Sequence, residues 1–207
     1  MRIGILLFDG VDLLDAGGPY EVFLTASRLA GRDGDPAPFE VVTFTVDGAP
    51  VTAYGGMGLV PGASAADVGA LDVVIVPGTI DLTALLADAA LLDTIRSLAS
   101  GSPITTSVCT GAFLLAGAGV LTDQPWTTHW EDVDDLAARL GPAGATRGVR
   151  WVDAGDVVTA AGLSSGIAMA LHLVDRLAGR DLAERTARQI DYEWAPEGTG
   201  SVVPTPS

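Results

Sequence analysis

Ile104-Thr105-Thr106-Ser107-Val108-Cys109-Thr110-Gly111-Ala112-Phe113-Leu114-Leu115-Ala116 changes character half-way along. Its first half is short, β-branched and preceded by Pro103, the pattern of a buried strand. From Gly111 it turns Ala/Leu-rich and predicts a helix to about Ala118. The chain's single cysteine, Cys109, stands at the join. A strand that turns at once into a helix makes a sharp elbow and presents the elbow side chain at the carboxyl edge of a sheet. That is the geometry of a nucleophile elbow, here with sulfur in place of a serine oxygen. The positive end of the following helix favours thiolate over thiol, so a lowered thiol pKa is expected. Small residues at Thr110, Gly111 and Ala112 are expected to let a substrate approach. The competing reading is a buried structural cysteine, a common fate of free cysteine.

Outward from this elbow, strand and helix signals alternate. Arg2–Phe8 predicts the first strand, followed by the Asp9-Gly10 turn and a loop over 11–18. Pro19 is expected to open a helix whose apolar face is Val22, Phe23, Ala26, Leu29 and Ala30. Phe39–Val46 predicts a strand, Val51–Tyr54 with Leu59–Pro61 a small antiparallel excursion, and Ala65–Ala70 a short helix. Val73–Val76 is continuously apolar, as a parallel strand covered on both faces must be, and runs into Pro77-Gly78-Thr79. Helices are expected over Leu82–Ala87 and Ala90–Ser100, and from His129-Trp130 to about Leu140. Strands follow at Thr146–Val152 and Val157–Ala161, then helices capped by Ser164 and Asp181. The alternation predicts an α/β fold with one doubly wound, mostly parallel sheet and helices on both faces. It occupies residues 1–196 as one domain, with a Gly/Pro/Ser/Thr-rich tail over 197–207 that is expected to be mobile.

The composition bounds the function. With 207 residues, 48% apolar and 18% charged, the chain can bury a sizeable core. A net charge of −15, with arginine supplying every basic residue, argues against nucleic acid as a partner. No apolar run is long enough for a membrane span, and Met1–Phe8 is too short for a signal peptide. One cysteine excludes an internal disulfide, so a cytoplasmic location is expected. No His/Cys/Glu spacing points to a metal site.

In a doubly wound sheet, ligands bind beyond the carboxyl ends of the strands. Three such ends converge here: the loop holding Asp15, the Pro77-Gly78-Thr79 loop, and Cys109. The set Gly4-Ile5-Leu6-Leu7-Phe8, Leu14-Asp15-Ala16-Gly17-Gly18-Pro19, Val76-Pro77-Gly78, Ser107-Val108-Cys109-Thr110-Gly111 and Thr127-Thr128-His129-Trp130 resembles the DJ-1/PfpI superfamily. Within it, the chain most resembles the isonitrile hydratase branch and the amidotransferase-like domains of AraC-type regulators. The likeness runs from Arg2 to about Pro196. It implies a flavodoxin-like fold of the class I glutamine amidotransferase type and a homodimer. It makes Cys109 the nucleophile and Asp15 its acidic partner, and it makes Thr110 the threonine that follows the nucleophile in isonitrile hydratases. The protease-like and deglycase-like branches carry His at that position, so a Cys-His dyad of their kind is not expected. Gly78 and Thr79 match the loop whose backbone N–H groups face the nucleophile.

The implied chemistry needs no cofactor. An isonitrile carbon becomes electrophilic once its nitrogen side is polarised or protonated. A Cys109 thiolate can then attack to give a thioimidate, and water can release an N-substituted formamide. Asp15, raised in pKa by its setting, can supply the proton, and N–H groups of Gly78, Thr79 and Thr110 can stabilise negative charge. Without the resemblance, Asp15 reads equally well as a cap for the Pro19 helix. His129 lies where it can line the substrate pocket, or it is a structural histidine packed by Trp130. His172 reads as core or interface, and Trp126, Trp151 and Trp194 as packing or dimer contacts. The alternatives in function are a sensor domain for a small molecule or for peroxide, and a glyoxalase- or deglycase-like activity that Thr110 disfavours. A DNA-binding role is not expected, because no basic helix pair follows the domain.

Overall fold

A computed structural model describes residues 1–196, and the predicted tail at 197–207 lies outside them. In chain order the elements are β1 (Arg2–Leu6), α1 (Leu13–Arg32), β2 (Glu40–Thr45), β3 (Val51–Thr52), β4 (Gly58–Leu59), β5 (Ala63–Ser64) and β6 (Val73–Val76). They continue with α2 (Thr83–Ala87), α3 (Ala89–Gly101), β7 (Ile104–Val108), α4 (Gly111–Gly117) and α5 (Val133–Leu140). β8 (Trp151–Asp153), β9 (Val157–Ala160), α6 (Ser165–Ala178) and α7 (Arg180–Gln189) complete them. Among the described residues, seven strands form one sheet in the order β5-β2-β1-β6-β7-β9-β8. Every pairing in it is parallel except the edge pair β8–β9. β3 and β4 make the separate antiparallel hairpin predicted from the sequence.

Apolar layers cover both faces of the sheet. One contains Ile3, Ile5 and Ile75 with Val22 and Phe23 of α1 and Met169, Leu173 and Ala183 of α6 and α7. The other contains Leu6, Val74 and Val76 with Ile95, Leu114, Leu115 and Leu136 of α3, α4 and α5. All residues of β6, β7 and β9 are buried, which is why these strands are continuously apolar or hydroxylated rather than alternating. Each fully buried Ile or Leu contributes about 1.5–3 kcal/mol. The register sets the site: Val76 pairs with Ser107, and Val108 with Ala160. Three strands therefore end level with one another, and Cys109 emerges between Pro77-Gly78 and Ala161-Gly162.

Several local predictions are corrected. Residues 13–18 are helix, not loop: α1 begins at Leu13, capped by Asp12, whose carboxylate accepts from the Leu14 N–H at 3.1 Å. Pro19 therefore lies inside α1, where it cannot donate to the Asp15 carbonyl. The Gly-Gly-Pro signal is overridden by packing, because Gly18 lets α1 approach α6; a Cβ there would lie 2.9 Å from Ile167 Cγ1. Residues 65–70 form turns rather than a helix, and the strand expected from Thr146 is confined to Trp151–Asp153. Ser164 occupies the N-cap position of α6 without a side-chain capping bond, and Gly179, not Asp181, precedes α7.

Candidate functional site

The elbow is present in the form read from the sequence. Cys109 takes φ 56°, a left-handed conformation that a non-glycine residue adopts at a cost. Its backbone is fixed from two sides. The Cys109 N–H is shared between the Ala160 and Ala161 carbonyls at 3.2 and 3.0 Å, and its carbonyl accepts from Thr128 Oγ1 at 2.8 Å. Gly111 is obligatory, since a Cβ there would fall on the Val76 carbonyl oxygen. Thr110, Gly111 and Ala112 are all buried, so their small size serves close packing of the elbow on β6 rather than substrate access.

Asp15 comes to this elbow from the first turn of α1, wholly buried. Its Oδ2 accepts from the Gly78 N–H at 3.0 Å. Its Oδ1 is buried with no hydrogen-bond partner among the described residues. Capping of α1 belongs to Asp12, so the capping role considered for Asp15 is excluded. Burial is the main cause that pushes the Asp15 carboxyl up to about 7, with the neighbouring Asp12 charge adding to it; the Gly78 N–H and the Cys109 thiol pull the other way.

The thiol departs from expectation. Burial first, and then the Asp15 charge, push Cys109 up to about 12 rather than down. Backbone N–H groups of Thr110 and Leu163 oppose this without overcoming it. α4 has only seven residues, and its end does not offset the removal of a thiolate from water. The resting pair is therefore a thiol beside a carboxyl that is half-protonated near neutrality.

Thr110 acts on the opposite loop. Its Oγ1 accepts from the Thr79 N–H at 2.8 Å and donates to the Thr79 carbonyl at 2.7 Å, so one hydroxyl satisfies both backbone groups of Thr79. The Thr79 hydroxyl in turn donates to the Gly10 carbonyl at 2.9 Å. Gly78 is needed for this clamp, since a Cβ there would lie 2.6 Å from Thr110 Oγ1 and 2.9 Å from Asp15 Oδ2. The N–H groups of Gly78 and Thr79 are thus spent on Asp15 and Thr110, and of the three expected donors only the Thr110 N–H lies against the sulfur.

His129 stands farther out. Its Nδ1 is 3.2 Å from Asp132 and 3.8 Å from Glu131, and its ring is tilted against Trp130 at 5.7 Å. It lines a cavity of about 400 Å³ together with Thr128, Trp130, Arg147, Arg150 and Leu163, among others. Both readings of His129 therefore have a physical basis: acidic neighbours hold it, and it faces open space. Leu163 is the residue that the sequence reading missed. Its φ of 36° turns its N–H toward the sulfur, while its side chain is on the cavity wall. The only signal was its place in the Gly162–Ser165 turn after β9. His172 is tied to Asp153 at 2.7 Å and stacked on Trp151, both on the edge strand β8, two strands along from the elbow strand β7. Among the described residues, no group of three or more His, Cys, Asp or Glu is placed to hold a metal ion, and no helix is long and apolar enough to cross a membrane.

A cysteine in a left-handed conformation at the end of a central parallel strand, a buried carboxylate from the first helix rather than from a loop, and a Pro-Gly loop beside them make up the site. Residues 1–176 match the DJ-1/PfpI family. The chain belongs to the DJ-1/PfpI family. It is 36% identical over 196 residues to an isonitrile hydratase of Pseudomonas putida, a match covering 95% of this chain and 80% of that protein. Among solved structures, a ThiJ/PfpI family protein from Pseudomonas syringae superposes with a TM-score of 0.81 at 26% identity, over 97% of this chain and 78% of that one. An AraC family transcriptional regulator from Pseudomonas putida does so with a TM-score of 0.77 at 26% identity, over 91% of this chain and 98% of that one.

Proposed function

We propose that the protein hydrates isonitriles to N-substituted formamides, as a cysteine-dependent lyase. The observation that carries this reading is the buried pair of Asp15 and Cys109, with one carboxylate oxygen held by Gly78 and the other left unpaired. A carboxyl raised to about 7 can carry a proton on Oδ1 at neutral pH, which is what a general acid requires. Asp15 delivers that proton to the terminal carbon of the isonitrile. The Cys109 sulfur attacks the same carbon and forms the C–S bond of a thioimidate, and the thiol proton passes to Asp15. Water then adds to the thioimidate carbon. The C–S bond breaks, the sulfur regains a proton, and the formamide leaves. Because the thiol is pushed up to about 12, sulfur attack is coupled to loss of its proton and does not begin from a standing thiolate.

The test is formamide formation from cyclohexyl isonitrile by the wild-type protein beside Cys109→Ala. Cys109-dependent formamide supports the reading, and formamide formed equally by the variant refutes the mechanism.

The likeness to an AraC family regulator supports a second reading, a sensing domain that binds a small molecule without turnover. Reversible binding of the isonitrile with no formamide would favour it. The exposed apolar side chains of α1, namely Leu13, Leu14, Tyr20 and Leu24, and the exposed Val60 beside β4 support the homodimer that the resemblance implies. Sedimentation of the wild type against Tyr20→Glu checks this.

A further inference from the structure

The Gly78 peptide is held twice by the first turn of α1. Its carbonyl accepts from the Asp12 N–H at 2.9 Å, and its N–H donates to Asp15 Oδ2 at 3.0 Å. Asp12 is the N-cap, and Asp15 is the third helical residue after it. In a capping box these two positions close on each other, the third side chain reaching back to the N–H of the cap. Here the box is opened by one peptide unit, and Gly78 stands between its two halves. The Asp12 carboxylate meanwhile accepts from the Leu14 N–H at 3.1 Å, so one residue both starts the helix and anchors the loop.

Two carboxyl groups of unlike surroundings therefore share one helical turn: Asp15 is wholly buried and Asp12 only half-buried. Capping does not require an acid, since Asn and Ser cap as well. What an acid adds is charge. Burial does most to raise the Asp15 carboxyl, and the Asp12 charge adds to it; for the Cys109 thiol, burial and the Asp15 charge lead and the Asp12 charge follows. Other charges around Asp15 are few. The β7–α4 elbow brings Cys109, and α6 brings the uncharged Ile167 against Gly18. The loop after β6 carries the exposed Asp81, whose carboxylate is taken by the Thr83 N–H, and the loop after β1 carries the exposed Asp9, taken by the Thr52 N–H. No arginine or histidine is among the groups that act on the Asp15 charge.

We infer that Asp12 is a positioning residue for the pair: its backbone and cap hold the Gly78 peptide against Asp15, and its negative charge keeps the proton on Asp15, ready to be given at neutral pH. The use of that proton rests on the proposed hydratase reading; the poise of Asp15 does not. Asp12→Asn keeps the cap and the N–H and removes the charge. The Asp15 carboxyl is followed by carbon-13 NMR of protein labelled at aspartate, its signal identified by its loss in Asp15→Asn. The kcat/KM for cyclohexyl isonitrile is followed over the same pH range. Asp12→Asn is expected to move both midpoints down by about 0.3–1 pH unit, which lowers kcat/KM at pH 8 about two- to tenfold. Raising salt from about 0.05 to 0.5 M should bring the wild-type midpoint toward that of the variant and leave the variant's in place, because a partly exposed charge is screened. A residue that only capped the helix would do neither. Asp12→Ala removes the cap as well, so exchange of the Gly78 amide should quicken about tenfold in it and stay near the wild-type rate in Asp12→Asn. Coincident midpoints in wild type and Asp12→Asn overturn the role of the charge, and equal Gly78 exchange in all three proteins overturns the role of the cap. Displaced NMR midpoints with no formamide support the inference and overturn the hydratase; formamide with midpoints unmoved overturns the inference alone.

Discussion

The two sides of Cys109 are built on opposite principles. Toward α1 and β6 every atom is placed: Asp15 is wholly buried, Gly78 has no room for a methyl group, and one threonine hydroxyl closes both backbone groups of Thr79. Toward β9 and α6 lies a turn whose left-handed leucine sets its N–H against the sulfur, and the other side of that turn walls a cavity lined by arginines, hydroxyls and a tryptophan. The closed side holds protons and charge in a dry setting, where one buried charge costs several kcal/mol. The open side has a cavity of about 400 Å³, room enough to admit a small molecule and sort it. A reactive group fixed against one rigid wall, with an open cavity beyond the turn on its other side, is what a site needs if chemistry is to be constant while substrate range varies.

The largest expected effects lie on the closed side. Cys109→Ala should lower formamide formation at least about 10³-fold, the scale on which removing a nucleophile acts, with a melting temperature near that of the wild type. Asp15→Asn should lower kcat/KM by about 10²–10⁴. It should also reveal the charge stored at that position. Because the folded-state pKa of Asp15 is raised from 3.8 to about 7, its contribution to stability is fully present below about 3.8 and is lost as pH rises through about 7. The wild type should therefore lose stability relative to Asp15→Asn across that window, with the variant more stable by about 2–4 kcal/mol at pH 8. Urea unfolding of both proteins from pH 4 to 8 measures it, and parallel curves would show that the carboxyl is not desolvated. The same titration removes the general acid, so wild-type kcat/KM should fall about tenfold per pH unit above about 7.

The closed side was also the more legible in the sequence. Continuous burial of β6 and β7 leaves apolar, β-branched runs, and the elbow requires a small residue right after the turn, so Val73–Val76 and Ile104–Gly111 announce themselves. Asp15 could be named by its position in a recognisable pattern, but its place in a helix could not be read. Gly17-Gly18-Pro19 has the local signature of a break, and only the tertiary approach of α6 makes helix the better state. The direction of the thiol's shift was missed for a similar reason. A helix end is visible in sequence, whereas the burial that outweighs it, and the Asp15 charge that arrives from nearly 100 residues away and adds to it, depend on the assembled fold. Leu163 was missed because it acts through its backbone, and a backbone N–H has no residue type to betray it.

Smaller substitutions sharpen the comparison. Thr110→Val keeps the shape but removes both hydrogen bonds to Thr79, leaving a buried N–H and C=O unpaired at about 1–3 kcal/mol. Thr110→Ser should recover most of that. If Thr110 serves the closed wall by holding the Thr79 loop, the valine variant should lose kcat and stability together while its pH profile stays in place. A shifted profile with unchanged stability would make the hydroxyl a proton carrier instead. On the open side, His129→Gln is expected to change stability by less than about 1 kcal/mol, since its partner Glu131 is exposed and Asp132 partly so. Its effect should be confined to KM, vary from one isonitrile substituent to the next, and stay within about tenfold. A uniform loss of kcat in that variant would move His129 from the wall that sorts substrates to the wall that moves protons. It would also require a path from its ring to the sulfur past Leu163, which lines the cavity with His129 and sets its N–H against the sulfur.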